Sequence, residues 1–287
     1  MNRRKFLVGA VTLPVALRFA PGALAGGTPV ALVTADTQAR VAVVCHTAQS
    51  VVSLIDGPSL RVRRVQGRFD EPRYTAAGAN ARHAFVTDSG TSEVVAVDIV
   101  EGRTLGRLKL DEWARHVTSE PSGRRLWVGL GSASERVAIV DVSEPRRPRL
   151  ERMLRPPFLA HDVGYEPSGA RVWVTSGTAR EVAVYDVRGR LQRHLAADAA
   201  PQHVTFSRRA AYVTSGNDGT LRLVSLTDGR ELRAARVPVG SYHVQSGHAF
   251  VVTPSLDTGA LSVLDRAGRT VRELTVASSS HDACFLA

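Results

Sequence analysis

Six of the nine histidines in the chain, His46, His116, His161, His203, His243 and His281, fall at related places in a phrase that recurs along the sequence. Stacking the short apolar segments that open each recurrence gives two adjacent columns. The first holds Arg73, Arg115, His161, Gln202, Tyr242 and His281; the second holds Tyr74, His116, Asp162, His203, His243 and Asp282. Imidazoles and carboxylates brought together in this way are the donor set of a transition metal or of a proton-transfer site. His161, Asp162, His281, Asp282 and His46 are the candidate metal ligands, and so many imidazoles suit Cu, Zn, Ni or Fe better than a hard, oxygen-loving ion. Arg73, Tyr74, Arg115, His116, His203, Tyr242 and His243 are the candidate contacts for a bound molecule. The plainer alternative is a polar rim whose imidazoles bond to neighbouring strands or to water. No local spacing such as H-E-x-x-H or C-x-x-C points to a metal, so the site depends on a fold that brings the columns into a ring.

Covalent catalysis finds little footing. The chain has no G-x-S-x-G elbow, and Gly131-Ser-Ala-Ser134 reads as a loop between strands. There is no phosphate-binding glycine motif and no C-x-x-C-H for haem attachment. Beyond its first residues the chain has a single lysine, Lys109, which argues against Schiff-base chemistry. No residue is assigned a catalytic role. His83 and His248 read as turn residues away from the columns, and His194 as an outer-strand residue.

The elements that would position the columns come from the repeat itself. Val41 to Cys45 with Val51 to Asp56, Ala84 to Asp88 with Val94 to Asp98, and Leu126 to Gly129 with Val137 to Asp141 are three copies of one apolar alternation. Val172 to Ser176 with Val182 to Asp186, Ala211 to Ser215 with Leu221 to Leu226, and Ala249 to Thr253 with Leu261 to Asp265 are three more. A period of about 40 residues is that of a four-stranded propeller blade. The fourth copy shows the whole unit: strand His161 to Tyr165, tight turn Glu166-Pro-Ser-Gly169, then strands Arg171 to Ser176, Glu181 to Asp186 and Leu191 to Leu195. After the sixth copy only His281-Asp-Ala-Cys-Phe285 remains, a near duplicate of His161 to Tyr165. That strand would complete the first blade and leave no sheet edge open. The expectation is an all-β, six-bladed propeller of four-stranded antiparallel blades. Val30 to Thr34 could instead supply the first strand, which leaves a seven-bladed closure as the alternative.

Phe-Val-Thr-Asp-Ser-Gly, Trp-Val-Thr-Ser-Gly and Tyr-Val-Thr-Ser-Gly resemble the YVTN repeat of bacterial surface and periplasmic propellers, the YncE-like group. The resemblance covers nearly all of the chain after its first residues. It implies that the opening strand of each blade lines a central channel, with the two columns at its mouth. It says little of function, because the superfamily includes binding proteins, nitrite and nitrous oxide reductase domains, amine dehydrogenase subunits and lactonases.

Residues 1–25 read as an address and residues 26–287 as the propeller domain. Asn2-Arg3-Arg4-Lys5-Phe6-Leu7, the apolar run Val8 to Leu17 and the Ala23-Leu24-Ala25 cleavage pattern resemble a twin-arginine (Tat) signal, although Asn2 and Val8 depart from its consensus. The resemblance implies export of folded protein to the periplasm. The apolar run is too short to span a bilayer, and no other stretch approaches a span. The formal charge of +10 falls to +6 without Arg3, Arg4, Lys5 and Arg18. The remaining arginines are scattered, with no basic helix and no base-stacking aromatic motif, so nucleic acid is not the expected partner.

Cys45 and Cys284 would lie on adjacent strands of the closing blade. Register places Cys284 opposite Ala42, too far from Cys45 to bridge, so two thiols are expected. Taken together, the residues describe a periplasmic propeller that binds a small ligand or a protein, of unspecified identity, at a histidine-rich channel mouth. A metal-dependent protein, redox or lactonase-like, is the alternative. If that site were catalytic, one ligand position would stay open and Asp162 or Asp282 would stand near it.

Overall fold

The computed structural model describes residues 41–56, 61–78, 82–131, 136–197, 199–247 and 249–275. Among them are six antiparallel sheets, five of four strands and one of three, and no α-helix. The first sheet is β1 (Val41–His46), β2 (Val51–Asp56) and β3 (Val62–Arg64). The second is β4 (Pro72–Ala77), β5 (His83–Asp88), β6 (Glu93–Asp98) and β7 (Arg103–Lys109). The third runs β8 (Ala114–Ser119), β9 (Arg125–Leu130), β10 (Val137–Asp141), β11 (Arg149–Leu154), and the fourth β12 (Ala160–Tyr165), β13 (Arg171–Ser176), β14 (Glu181–Asp186), β15 (Leu191–Ala196). The fifth holds β16 (Val204–Phe206), β17 (Ala210–Ser215), β18 (Thr220–Ser225) and β19 (Glu231–Arg236). The sixth holds β20 (Gln245–Ser246), β21 (Phe250–Pro254), β22 (Ala260–Asp265) and β23 (Thr270–Thr275). Each sheet is a meander in chain order, and the opening strands β4, β8, β12, β16 and β20 lie side by side in succession.

Alternation along the middle strands explains why they read as unbroken apolar runs. Successive side chains face opposite sides, and here both sides are covered by another sheet. In β5, Ala84 and Val86 join Val43, Cys45, Val52 and Leu54 of the first sheet, while Phe85 turns to Leu126 and Val128 of the third. Trp127 of β9 packs into the fourth sheet, Trp173 of β13 into the fifth, and Tyr212 of β17 into the sixth. In the second to fifth sheets the aromatic residue of the middle strand, Phe85, Trp127, Trp173 or Tyr212, is therefore the wedge between its own sheet and the next. Truncation of a buried Trp or Phe to Ala costs about 3–5 kcal/mol, so these wedges hold much of the fold.

The second strand also carries a polar hook. Thr87 Oγ1 donates to Arg115 O at 2.5 Å and Thr175 Oγ1 to Gln202 O at 2.6 Å, each across to the next sheet. Thr214 Oγ1 donates to Tyr242 O in the same way. In the third sheet the corresponding position is Gly129, where a Cβ would lie 3.4 Å from His161 O.

The outermost strands are built to resist further pairing. β7, β11, β15, β19 and β23 each break register at the equivalent place, a bulge that bends an edge away from another chain. Beside the bulge stand Arg152, Arg193, Arg233 and Arg272, with Arg63 at the matching place on β3. Arg63 donates to Ile99 O and Val100 O, Arg152 to Arg188 O, and Arg193 to Thr227 O, in each case a turn of the following sheet. The second sheet has Gly106 there, and a Cβ on it would stand 2.5 Å from Arg146 O. A loop of the third sheet fills that place instead of an arginine.

The tight turn expected at Glu166–Gly169 is present, with Gly169 N–H donating to Glu166 O at 2.8 Å and a left-handed φ of 68° at the glycine. Among the described residues no helix is long and apolar enough to cross a membrane. Residues 1–40, with the signal sequence and Val30–Thr34, lie outside the described residues, as do His281–Phe285 and the closure they were expected to make. Cys45 is buried between the first two sheets, whereas Cys284 lies outside the described residues.

Candidate functional site

The opening strands carry a second kind of bulge, at the residues of the two columns. Arg73 is the extra residue between the pairs Pro72 with Asp88 and Tyr74 with Thr87. Arg115 and His116 together oppose Gly129, and His161 and Asp162 together oppose Thr175. A regular strand sends consecutive side chains to opposite faces; a bulge lets two neighbours be aimed toward the same end of a sheet. The threonine hook stabilises this break. Thr175 Oγ1 accepts the Asp162 N–H at 3.0 Å while donating to Gln202 O of the next sheet, and Thr87 Oγ1 accepts the Tyr74 N–H at 3.2 Å while donating to Arg115 O.

The result is a cluster of rings that meet tilted or edge to face. Tyr74 lies 4.3 Å from His116, centroid to centroid, His116 lies 4.7 Å from His161 and 4.8 Å from His203, and His161 lies 5.1 Å from His203. His243 continues the series at 5.6 Å from His203. The ring nitrogens of His116, His161 and His203 offer three donors within 4.8 Å of one another. The Asp162 carboxylate stands behind them: its Oδ2 lies 3.3 Å from His203 Nδ1 and accepts the Val204 N–H at 3.0 Å.

Electrostatics sort the groups. Burial, followed by the neighbouring His161, His203, Arg115 and His243, holds the His116 imidazolium well below its ordinary range, so the ring is neutral at neutral pH. Burial pushes the Asp162 carboxyl up, but His203, the Val204 N–H and His161 outweigh it and hold the group below 3.8. His116 is 1% exposed, and neither of its ring nitrogens has a hydrogen-bond partner. Leaving a buried polar atom unsatisfied costs about 1–3 kcal/mol, so this ring is costly to keep as it stands.

Below the rings a cavity of about 430 Å³ runs between the opening strands. Tyr74, His116, Asp162, His203 and His243 form one part of its wall, and Tyr165, Phe206 and Gln245 another. Of the seven residues expected to contact a ligand, Tyr74, His116, His203 and His243 line it. Arg73 is paired with Glu71 at 3.1 Å, Arg115 stands beside His116, and the Tyr242 hydroxyl donates to Asn217 Oδ1 at 3.0 Å, so these three stand outside the wall. Of the five expected metal ligands, His161 joins the cluster and Asp162 supports it through His203, while His281, Asp282 and the His46 side chain lie outside the described residues. The grouping of His161 with His116 and His203 crosses the two columns and could not be read by column alone. The signal that foretells it is the bulge, which lets a first-column residue in one sheet meet second-column residues in its neighbours. His194 lies on the outer strand β15 as expected, 4.0 Å from Glu181, and His83 lines a separate pocket with Arg82 and Arg146.

No family model matches the chain, and no curated protein matches it significantly. Solved structures do. The chain is similar to the β-propeller domain of Cps50 (Swd1) from Myceliophteria thermophila, at 13% identity and a TM-score of 0.72 over 88% of each chain. It is also similar to the hydrazine synthase of Kuenenia stuttgartiensis, at 13% identity and a TM-score of 0.75 over 93% of this chain and 92% of the other. Likeness at this identity is a likeness of fold, and it makes the six sheets those of a β-propeller.

Proposed function

We propose that the protein is a YVTN-type propeller, exported to the periplasm by the twin-arginine route, that binds a small ligand in its central channel. In this reading it has six blades, and His281–Phe285 completes the first. The observation that carries the binding role is the cavity of about 430 Å³ with Tyr74, His116, His203 and His243 converging on it. Its size is that of a small-molecule site, and convergent polar groups set among apolar walls are what such sites use for orientation.

A catalytic reading gains less. The Asp162 carboxylate is already held by His203 and the Val204 N–H, which makes it an orienting group and not a base waiting for a substrate proton. The arginines give little support to nucleic-acid binding, since Arg63, Arg152 and Arg193 are spent on carbonyls of neighbouring blades.

The test is native mass spectrometry on protein exported through its own signal, compared with the Tyr74→Ala and His243→Ala variants. A non-covalent mass retained by the exported protein and lost in both variants supports channel binding; a retained mass indifferent to both, or none at all, refutes it. Fractionation of an Arg3→Lys, Arg4→Lys variant tests the address, with cytoplasmic retention the expected outcome.

A further inference from the structure

We propose that His116, His161 and His203 bind one divalent ion of the Zn(II) and Cu(II) class, with Asp162 orienting His203 and one coordination position left facing the channel cavity. The inference rests on the channel-binding reading and deepens it by naming the class of ligand at the ring cluster.

Three independent features converge on it. The donors come from three consecutive blades, and their nitrogens lie within 4.8 Å of one another. His116 is buried with both ring nitrogens lacking a hydrogen-bond partner, a state that a structural imidazole rarely tolerates and a metal ligand requires of one nitrogen. Asp162 Oδ2 lies beside His203 Nδ1, which leaves Nε2 as the free lone pair; carboxylate behind histidine is the arrangement that fixes tautomer and ring orientation around bound metals.

Chemistry narrows the ion. Neutral imidazoles favour Zn(II), Cu(II), Ni(II) or Fe over Mg(II) and Ca(II), and three histidines with an exchangeable fourth position suit a four-coordinate ion. Zn–N bonds of about 2.0–2.1 Å place tetrahedral donors about 3.4 Å apart. Donors as far apart as 4.8 Å must therefore close by about 1.4 Å on loading. The His161 ring sits tightly against Gly177, where a Cβ would stand 3.0 Å from its Nδ1; any side chain there would press on the ring. The competing account is that channel water satisfies His116 and the edge-to-face rings are structural.

The probe is Zn(II) added to chelator-stripped full-length protein lacking any histidine tag, followed by calorimetry, with Co(II) as the spectroscopic substitute. One ion per chain and the intense visible bands of four-coordinate Co(II) are expected. His116→Ala, His161→Ala and His203→Ala should each abolish both signals, Asp162→Asn should weaken affinity about 10- to 100-fold without changing stoichiometry, and His194→Ala should leave both intact. If His116→Ala is unfolded by circular dichroism, His161→Gln, at a half-buried position, decides the matter. Folded protein that takes up no Zn(II), or takes it up equally well in His161→Gln, overturns the proposal. A channel ligand that still depends on Tyr74 and His243 in that case leaves the binding reading standing; its absence as well removes both.

Discussion

Asp162 Oδ2 lies 3.3 Å from His203 Nδ1 and accepts the Val204 N–H at 3.0 Å, so one carboxylate on the fourth blade sets both the ring and the backbone of the fifth. Its own N–H is held by Thr175 Oγ1, whose hydroxyl donates to Gln202 O on that same fifth blade. The side chains of this ring cluster are thus ordered by contacts that are also joints between neighbouring sheets. The proposed ligand binding at this cluster and adhesion between blades should be sensitive to the same substitutions.

Thr175→Val is expected to show this most directly. The change keeps shape and removes one hydroxyl, which leaves Gln202 O and the Asp162 N–H without their partner. A loss of about 1–3 kcal/mol follows, read as a lowered urea midpoint with unchanged slope. The reverse experiment is Gly129→Thr, which would supply the missing hook to His161 O from a strand position with room for a Cβ. It should raise stability by about 1 kcal/mol; an unchanged or lowered midpoint would mean that the hooks contribute nothing to adhesion between blades.

Acid should loosen the outer turns before the core. The Asp98 carboxylate accepts the N–H groups of Val100 and Glu101 at 2.9 Å each and is paired with Arg82 at 2.9 Å. Burial raises its pKa, but the Glu101 N–H, Arg82 and the Val100 N–H together hold it below 3.8. Asp141 is held low in the same way, by the hydroxyl and N–H of Ser143. A folded pKa below the unfolded one contributes stability that is complete above the unfolded value and is lost as pH falls through the folded value. Asp98→Asn should therefore be less stable than the wild type by about 1–3 kcal/mol at neutral pH. The gap should shrink only below about pH 4, and urea melts across that range would show it. A gap constant down to strong acid would contradict the assignment.

How much of this was legible follows from what kind of order each feature needs. The six phrases reappear as strands, and Arg171–Ser176 and Glu181–Asp186 match their expected bounds residue for residue, because alternation and turn glycines are local properties. The second column was legible in part: Tyr74, His116, Asp162, His203 and His243 line one cavity, whereas Arg73, Arg115 and Tyr242 of the candidate contacts stand outside its wall. The grouping of His161 with His116 and His203 was not legible. Alternation treats His161 and Asp162 as facing opposite ways, and only the bulge opposite Thr175 overrides it. The arginine at the outer bulge was equally hidden: Arg63, Arg152 and Arg193 looked like scattered surface charge until the neighbouring blade supplied the carbonyls they reach.

Those arginines carry an expectation of their own. Arg152→Ala and Arg193→Ala each remove a charged donor from a turn carbonyl at an exposed position, so each should cost about 0.5–1 kcal/mol. Gly106→Arg, which restores the repeat on the second blade, should instead be harmful by about 1–3 kcal/mol. Its Cβ would collide with the Pro145–Arg146 backbone. Thermal melts of the three variants separate a real clamp from a compositional habit. If Gly106→Arg proves neutral, the loop is not what excludes arginine there.

Closure of the ring can be read from thiols. In the fourth blade Gly164 pairs with Trp173, and Val43 holds the place of Trp173 in the first sheet, so the same register places Cys284 opposite Val43, one residue along from the Ala42 expected from the sequence, if His281–Phe285 completes the first blade. Directly opposed residues have Cβ atoms about 4.5–5.5 Å apart, close enough for modest adjustment to bring them into disulfide range, about 3.5–4.5 Å. Cys45 is two residues further along β1, a diagonal neighbour roughly 7–8 Å away and beyond the reach of a bridge. The unmodified protein should therefore alkylate at both cysteines once denatured, without prior reduction. Val43→Cys should form one internal disulfide under mild oxidation, leaving only Cys45 to react. Three alkylatable thiols in that variant would mean that the C-terminal strand does not complete the first blade and that the ring closes in another way.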